Sequence, residues 1–314
     1  MNILVYTNFG LGDIIMATPA VSILYDAGHN ITFLCEDTER GIIEENWIEV
    51  LTYSRFYQQA HLEQIKSSLK DRKFDVVLLT VPSNNSEGSF VFRPKECLLL
   101  HYEDEPQQRF SHHTVELNGW LAQKILNCNI HEYRLGKQRA INNCRNKDVL
   151  FHIGAQNSFW RYKAFPLDLY RQIMFFLKEQ EFICKIIGDA KQRIYAQMFR
   201  GVAEDFTCIP LSSTKQLMLE AFAFVGNDCG PSHLASALYL PTISFFGPTR
   251  WDLTGAWPIN VKRNRYIQAT VPCSPCVRTK NIEICNNPIC HSSVSFKDFD
   301  REWNEILKYR QECK

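Results

Sequence analysis

The chain has 314 residues, of which 45% are hydrophobic and 22% are charged, and its formal net charge is +1. This composition is typical of a folded globular protein, and the balanced charge gives no bulk attraction to nucleic acid. The length suits two domains. No run of residues is long and apolar enough to span a bilayer. The apolar N-terminus lacks the cationic flank of a secretory signal, so we expect a cytoplasmic protein.

Apolar runs alternate with amphipathic stretches along the first half of the chain. The pattern predicts strands over 3–6, 31–35 and 74–80 and helices over 14–26 and 115–125. The continuous apolar run at 74–80 is typical of a parallel strand that is covered on both faces. A polar, cationic stretch over 135–147 has no clean periodicity, and we interpret it as the connection between two domains.

The second half repeats the alternation. Strands are predicted over 149–153, 182–187, 207–209, 224–226 and 242–246, with helices that begin near 166 and 231, pass through 195 and cover 214–222. Two such series predict two parallel sheets with helices on both faces. Ligands bind these folds at the carboxyl ends of the strands, so we expect the loops after Tyr6, Ile153, Ile187, Gly226 and Phe246 to face one cleft.

The most informative loop runs from Asp228 to His233. Gly230 permits a tight turn and Pro231 suits the first position of a helix, so the amides of Ser232 and His233 are expected to be free at the positive end of a helix dipole. Such an end binds diphosphate. His233 can add a hydrogen-bond donor, and Asp228 can fix the loop or meet a hydroxyl. A plain helix cap with a satisfied histidine fits the same spacing.

The first loop, Gly10-Leu-Gly-Asp13, resembles a dinucleotide fingerprint that lacks its third glycine. Asp13 begins the following helix, where the dipole favours a carboxylate. A carboxylate at this place can act as a general base towards a hydroxyl. An N-terminal helix cap is the commoner role of an aspartate in this position.

The loop after the strand at 149–153 contains Ser158, Arg161 and Lys163 just before a helix that begins at Pro166. Cations and a hydroxyl at a strand end suit a phosphate. An ordinary solvated loop has a similar composition, although it leaves Trp160 and Phe165 without an explanation.

Four of the twelve cysteines are clustered as Cys273, Cys276, Cys285 and Cys290, with the spacing C-x2-C-x8-C-x4-C. Four thiolates with this spacing can surround a structural zinc or iron ion. Oxidised pairs or free thiols are the alternatives, and a catalytic role is not expected. The other cysteines are scattered singly, which is typical of buried free thiols in a reducing compartment.

Three segments together resemble glycosyltransferase family 9, the heptosyltransferases of lipopolysaccharide core assembly. They are residues 10–19, residues 154–166 and residues 227–249, in which Asp-x-Gly-x-x-His is followed by Phe-Gly-Pro-Thr. The resemblance implies an α/β protein of GT-B architecture, with two Rossmann-like parallel-sheet domains that face a central cleft. Residues 1–140 would bind the acceptor, residues 148–295 with the cysteine-rich loop 273–290 would bind the nucleotide sugar, and a helix over 296–314 would cross back to the first domain.

The resemblance also implies an inverting transfer of heptose from ADP-heptose to a hydroxyl of the lipid A–Kdo inner core or of a heptose already on it. It implies that Asp13 is the catalytic base and that no metal or cofactor takes part in the chemistry. It implies peripheral contact with the inner face of the cytoplasmic membrane. By the same resemblance the donor would be held by Gly12, Ser158, Lys163, Gly188, Asp228, Cys229, Gly230 and His233.

Two residues depart from the family pattern, since Cys229 replaces the more frequent threonine or serine and Phe165 replaces tryptophan. The first domain matches the family only at its beginning, which leaves the acceptor open. A transferase of the same fold that uses another sugar nucleotide or a protein acceptor is the main alternative. A dinucleotide-dependent oxidoreductase is disfavoured because neither half has a complete G-x-G-x-x-G with a later acid. A non-catalytic binding protein is a further alternative.

Overall fold

The structure is a computed structural model that describes residues 1–7, 10–36, 41–44, 46–53, 58–80, 98–101, 111–137, 141–154, 162–277, 285 and 288–313. The chain divides into two compact units, Met1–Arg139 and Ala140–Lys314. Each unit is built on its own parallel sheet, as the alternation of strands and helices predicts.

The first unit contains a five-stranded sheet of order β3-β2-β1-β4-β5, in which all pairs are parallel. This is the classic Rossmann strand order without its sixth strand. The strands are β1 (Asn2–Tyr6), β2 (Asn30–Glu36), β3 (Glu49–Tyr53), β4 (Val76–Leu79) and β5 (Leu98–His101). The helices are α1 (Leu11–Asp26), α2 (Gln58–Leu69) and α3 (Thr114–Gln123).

The second unit contains a six-stranded parallel sheet of order β11-β10-β9-β6-β7-β8. Counted within the unit, this is the complete Rossmann order. The strands are β6 (Asp148–His152), β7 (Ile183–Gly188), β8 (Glu204–Thr207), β9 (Ala223–Asn227), β10 (Thr242–Phe246) and β11 (Asn264–Gln268). The helices are α4 (Leu167–Glu179), α5 (Arg193–Met198), α6 (Leu211–Glu220), α7 (Gly230–Ala237), α8 (Trp251–Thr254) and α9 (Phe296–Glu312).

The central strands are buried on both faces, which explains their continuous apolar runs. In β1 every residue after the first is buried, and in β9 and β10 every residue is buried. Helices cover these faces with apolar stripes: in α4 the buried side chains recur with helical spacing. This packing places the polar ends of β6 and β9 at the edge of a well-ordered core.

Helix α1 begins at Leu11, three residues before the predicted start at Ile14, and eleven of its sixteen residues are buried. A helix that is apolar on all sides needs cover on all sides, and α1 packs closely against α3. The earlier start brings Gly12 and Asp13 into the first turn of the helix.

The prediction missed the edge strands and displaced one of them. β3, β5 and β11 were not predicted, and β8 covers Glu204–Thr207 where the sequence predicted 207–209. Edge strands depend on pairing with a neighbour and tolerate polar residues, so their own sequences show a weak pattern. Directly after β8, the Cys208 amide still donates to the Gly188 carbonyl, at 2.7 Å. The strand ends there because Cys208 has a φ of 62°, which is not an extended conformation.

The C-terminal helix α9 packs on β10, β11 and α4 of the second unit. Trp303 lies within it against Phe182 and Phe299, and Arg310 donates to the Phe222 carbonyl at 3.0 Å. The predicted crossing of this helix to the first unit stays a prediction. Among the described residues, no helix combines the length and the apolar character that crossing a membrane requires.

Candidate functional site

The strand order of the second sheet reverses at β6, which lies between β7 and β9. In open parallel sheets this reversal leaves a crevice at the carboxyl ends of the two strands, and ligands bind there. β6 ends at His152 and β9 ends at Asn227. The predicted phosphate loop that begins at Asp228 therefore lies at the reversal point of the sheet.

Asn227 joins three segments at this crevice. Its side chain is fully buried, and its Nδ2 donates to the Gly154 carbonyl at 2.9 Å. Its Oδ1 accepts hydrogen bonds from the Tyr170 hydroxyl at 2.6 Å and from the Phe165 amide at 3.5 Å. Sequence reasoning missed Asn227, although a polar amide at the end of an apolar strand is a usable signal. Its hydrogen bonds fix the loop after β6 to the end of β9.

Lys163 and Asp228 form a buried ion pair at the same place. The lysine Nζ lies 2.7 Å from Oδ2 of Asp228, and the two side chains are 18% and 5% exposed. The Thr254 hydroxyl donates to the same carboxylate oxygen at 3.4 Å. Burial alone would raise the pKa of Asp228, but the charge and hydrogen bond of Lys163, with Thr249 and His233 nearby, hold that pKa below its usual range. The carboxylate is therefore ionised at neutral pH.

His233 lies in the first turn of α7 and is 3% exposed. Burial lowers its pKa to about 4; the Asp228 carboxylate opposes this shift and the Lys163 ammonium adds to it. The imidazole is therefore neutral at pH 7 and has one N–H to donate. Next to it, burial raises the pKa of the Cys229 thiol to about 12, so this side chain stays protonated and adds no negative charge.

The N-terminus of α7 differs from the prediction in one respect. The Ser232 amide is not free, because it donates to the Cys229 carbonyl at 3.1 Å, and the Ser232 hydroxyl donates to the same carbonyl at 2.7 Å. The amides of Cys229 and Gly230 make no hydrogen bond within the described residues. The amides that remain at this helix end, those of Cys229 and Gly230, thus lie three positions earlier in the chain than the predicted pair, Ser232 and His233.

A second polar corner lies at the end of β7. Gly188 has a φ of 142°, and a side chain there would collide with Gln192 and touch His152. The Nδ1 atom of His152 and the Oε1 atom of Gln192 are buried and have no hydrogen-bond partner among the residues that the structure describes. Because unpartnered buried polar atoms cost free energy, this corner favours a polar ligand group. The sequence predicted Gly188 and the loop up to Gln192; it did not predict His152.

In the first unit, Asp13 lies in the first turn of α1, the helix that follows β1, and is half-buried. Its amide donates to the Gly10 carbonyl at 3.0 Å. Gly12 precedes it in the same turn. The structure thus places this carboxylate at a strand end of the first sheet, as the sequence predicted. The predicted donor residue Ser158 lies outside the described residues.

The four clustered cysteines lie near one another. Burial is the main cause that raises the pKa of Cys290 to about 11, and the neighbouring Cys276, Cys273 and Cys285 contribute to the same shift. Burial likewise raises the pKa of Cys276, with Cys273 and Cys285 adding to the shift. However, no group of three or more His, Cys, Asp or Glu side chains in the described part of the chain has the arrangement of a metal site.

A cavity of about 820 Å³ lies elsewhere, at the amino ends of the strands of the first unit. It contains none of the predicted site residues. Its position argues against a role in the predicted chemistry, because parallel sheets bind ligands at the opposite ends of their strands. Its lining includes Asn2, Tyr25, His29, Asn30, Trp47, Glu49 and Arg72.

Comparison with known proteins gives consistent results. The family model of glycosyltransferase family 9 (heptosyltransferase) matches residues 92–286. Lipopolysaccharide heptosyltransferase 1 of Pseudomonas aeruginosa is 29% identical over 123 residues, which span 38% of this chain and 34% of that protein. Lipooligosaccharide heptosyltransferase 2 of Campylobacter jejuni is 20% identical over 300 residues, which span 88% of this chain and 90% of that protein.

The fold has solved counterparts. The structure of the Escherichia coli ADP-heptose lipopolysaccharide heptosyltransferase II superposes with a TM-score of 0.70 at 15% sequence identity, and the match covers 99% of this chain and 100% of that one. At this identity the likeness supports the fold alone. The family model, however, matches more than half of the chain, in a range that contains Lys163, Asp228 and His233. The chain therefore belongs to glycosyltransferase family 9, the heptosyltransferase family.

Proposed function

We propose that this chain is an inverting glycosyltransferase that moves a heptose from ADP-heptose to a hydroxyl of the lipopolysaccharide inner core. The observation that supports this most directly is the buried pair of Lys163 and Asp228 at the reversal point of the second sheet. A cation beside a helix N-terminus at this position suits a diphosphate.

The donor diphosphate is held by a cation, a neutral imidazole and two backbone amides. Lys163 supplies the charge, His233 supplies an N–H, and Cys229 and Gly230 supply their amides. These groups are largely buried, where a fixed donor interacts with a developing charge more strongly than in water. They offset the negative charge that grows on the leaving ADP, so the chemistry needs no metal ion.

The nucleoside end of the donor is assigned to the corner at Gly188. The unpartnered Nδ1 of His152 and Oε1 of Gln192 favour polar groups of the ligand there. Ribose hydroxyls both donate and accept hydrogen bonds, so they can satisfy either atom.

Asp13 is assigned the role of general base. It removes the proton of the acceptor hydroxyl while the oxygen attacks the anomeric carbon from the face opposite the leaving ADP, which inverts the configuration. The acceptor is a core heptose or Kdo hydroxyl on a lipid anchor. On this proposal the enzyme works in the cytoplasm at the inner face of the membrane, through peripheral contact.

The donor assignment is tested by calorimetric titration of the protein with ADP, UDP, GDP and NAD, followed by an assay of heptose transfer from ADP-heptose. ADP is expected to bind with the highest affinity, and its binding should raise Tm by mass action. Binding of UDP or GDP without ADP would contradict the donor and favour another sugar nucleotide. Binding of NAD alone would favour an oxidoreductase.

We also propose that Cys273, Cys276, Cys285 and Cys290 hold one structural zinc or iron ion. Their mutual influence on pKa indicates that the four thiols are close together. Without a cation, clustered thiols stay protonated, because each thiolate would repel the next. A bound metal ion offsets that repulsion and would join the two ends of the loop.

Metal analysis of protein purified without added metal tests this site. About one zinc or iron per chain is expected, and Cys290→Ser should lose it. Cys208→Ser is the matched control, because Cys208 is an exposed thiol outside the cluster. Metal-free protein with four freely titratable cluster thiols would contradict the proposal.

A further inference from the structure

The cysteine-rich segment, residues 273–291, contacts the loop that contains Lys163 and a second loop that lies beside Asp228. One loop leads into α4 and contains Tyr162, Lys163 and Phe165. The other follows β10 and contains Gly247, Pro248 and Thr249. The segment is therefore adjacent to the candidate donor site, although no group of it belongs to the chemistry described above.

The later part of the segment binds the residue that precedes Lys163. Nε2 of His291 lies 2.7 Å from the Tyr162 carbonyl, and since a carbonyl only accepts, Nε2 is the donor. The Tyr162 hydroxyl donates to the Cys285 carbonyl at 2.7 Å. The His291 ring also packs against Phe165, with ring centroids 5.2 Å apart. Lys163 is thus flanked on both sides by residues that this segment contacts.

The earlier part of the segment binds the loop after β10. The amides of Cys276 and Val277 donate to the Pro248 carbonyl at 2.9 and 2.8 Å. The Ser274 hydroxyl donates to the Gly247 carbonyl at 2.6 Å. The next residue along, Thr249, lies beside the Asp228 carboxylate and helps to lower its pKa.

The two parts meet at Gly247. A side-chain carbon at that position would lie 3.3 Å from Sγ of Cys290, 3.6 Å from the ring of Phe165 and 3.7 Å from the Tyr162 carbonyl. Cys290, which is buried, is next to His291 in the chain. The packing here leaves little room for the Tyr162 backbone to move independently of the segment.

From these contacts we propose that His291 is a positioning residue, which fixes the backbone before Lys163 and so places the ammonium for the donor diphosphate. The inference rests on the proposed function for its ligand. His291 touches neither Lys163 Nζ nor Asp228 in the described contacts; it acts through the Tyr162 carbonyl. A small displacement of a group that positions a substrate lowers binding and rate far more than its own contact energy suggests.

Two replacements of His291 separate the hydrogen bond from the packing. His291→Phe keeps a ring against Phe165 but removes the donor, whereas His291→Gln can place an amide N–H near the position of Nε2. We expect His291→Phe to weaken ADP binding and to raise KM for the donor about tenfold, with a smaller change in kcat. His291→Gln should restore most of the affinity. Ser293→Ala is the control, since within the part of the chain that the structure describes the hydroxyl of Ser293 bonds only to the nearby Cys290 carbonyl, at 2.9 Å.

A second measurement does not depend on ADP. The rate at which an amine-specific reagent labels Lys163 is followed by mass spectrometry in the ligand-free proteins, with Lys185 as the internal standard because it forms a similarly buried ion pair. His291→Phe should speed the labelling of Lys163 several-fold and leave Lys185 unchanged. Equal labelling of Lys163 in wild type and variant would overturn the positioning role.

The two measurements also distinguish the inference from the function on which it rests. If the wild type binds no ADP but His291→Phe still exposes Lys163, the proposed donor is wrong and the positioning of Lys163 stands. If Lys163 becomes more reactive while ADP affinity and KM are unchanged, Lys163 is not placed for the donor and the inference fails. Unequal affinities of His291→Phe and His291→Gln support the role of the hydrogen bond.

Discussion

The second unit contains two ion pairs of nearly the same geometry, Lys163 with Asp228 and Lys185 with Asp148. Their N–O distances are 2.7 and 2.6 Å; the lysine side chains are 18% and 14% exposed, and both carboxylate side chains are 5% exposed. They differ in their place on the sheet. Asp228 follows the carboxyl end of β9, whereas Asp148 is the first residue of β6.

The comparison shows why a buried ion pair alone is weak evidence for a function. Equal burial and equal distance give similar energies, and such a pair serves stability as readily as binding. The surroundings make the distinction: Lys185 lies over the Phe206 ring at 4.8 Å, while Lys163 is accompanied by His233 and the N-terminus of α7. Position at the binding end of a parallel sheet therefore decides the assignment.

The largest effect is expected at the proposed base, Asp13, which belongs to neither ion pair. Asp13→Asn should lower kcat by roughly 10²–10⁴-fold, because the asparagine amide cannot remove the proton of the acceptor hydroxyl. ADP affinity should stay unchanged, since Asp13 is not assigned to the donor. Steady-state assays and calorimetry measure the two quantities, with Asp26→Asn at the other end of α1 as the control. Near-normal turnover of Asp13→Asn would remove Asp13 from the mechanism.

The second prediction tests the comparison directly. Lys163→Met and Lys185→Met should each lower the free energy of unfolding by roughly 3–5 kcal/mol, because each leaves a buried carboxylate without its partner. Lys163→Met alone should weaken ADP binding, by about 10- to 100-fold, through loss of a charge-assisted contact. Urea unfolding and calorimetry provide the measurements. Equal ADP affinity in the two variants would remove the functional distinction between the pairs.

The third prediction concerns the pH dependence of the Asp228 pair. Since the folded-state pKa of Asp228 is lowered, its contribution to stability is present above about pH 4, its ordinary value, and is lost as pH falls through the lowered pKa. Asp228→Asn should therefore be less stable than wild type at pH 7, by about 3 kcal/mol. The difference should shrink at pH 3 and below. Urea unfolding at both pH values measures it; a pH-independent difference would contradict the lowered pKa.

The smallest effect concerns His233. Its folded-state pKa is lowered from the ordinary value to about 4, so the unfolded chain binds the proton first as pH falls. The contribution of neutral His233 to the free energy of unfolding is thus present above about pH 6.5. It decreases as the pH falls to about 4, by on the order of 2–3 kcal/mol. His233→Gln should flatten this slope in urea unfolding. An unchanged slope in His233→Gln would show that the imidazole is not buried as a neutral group.

The sequence by itself determined the fold class and the loops that matter. Continuous apolar runs identify strands covered on both faces, and helical spacing identifies the faces that cover them. Because both signals are local, they predicted the two parallel sheets, with β10 at its observed bounds. The segment from Asp228 to His233 was likewise predicted as a binding loop from its glycine, proline and histidine at a strand-to-helix turn.

Only the tertiary structure decided which distant residues meet. Lys163 reaches Asp228 because β6 and β9 are neighbours in the sheet, and this strand order is not encoded in either segment alone. The same holds for Asn227 with Gly154 and for His291 with Tyr162. The unpredicted edge strands have the same cause, since pairing with a neighbour forms them. Local periodicity reports which side of an element is buried, but contacts between elements depend on how the whole chain packs.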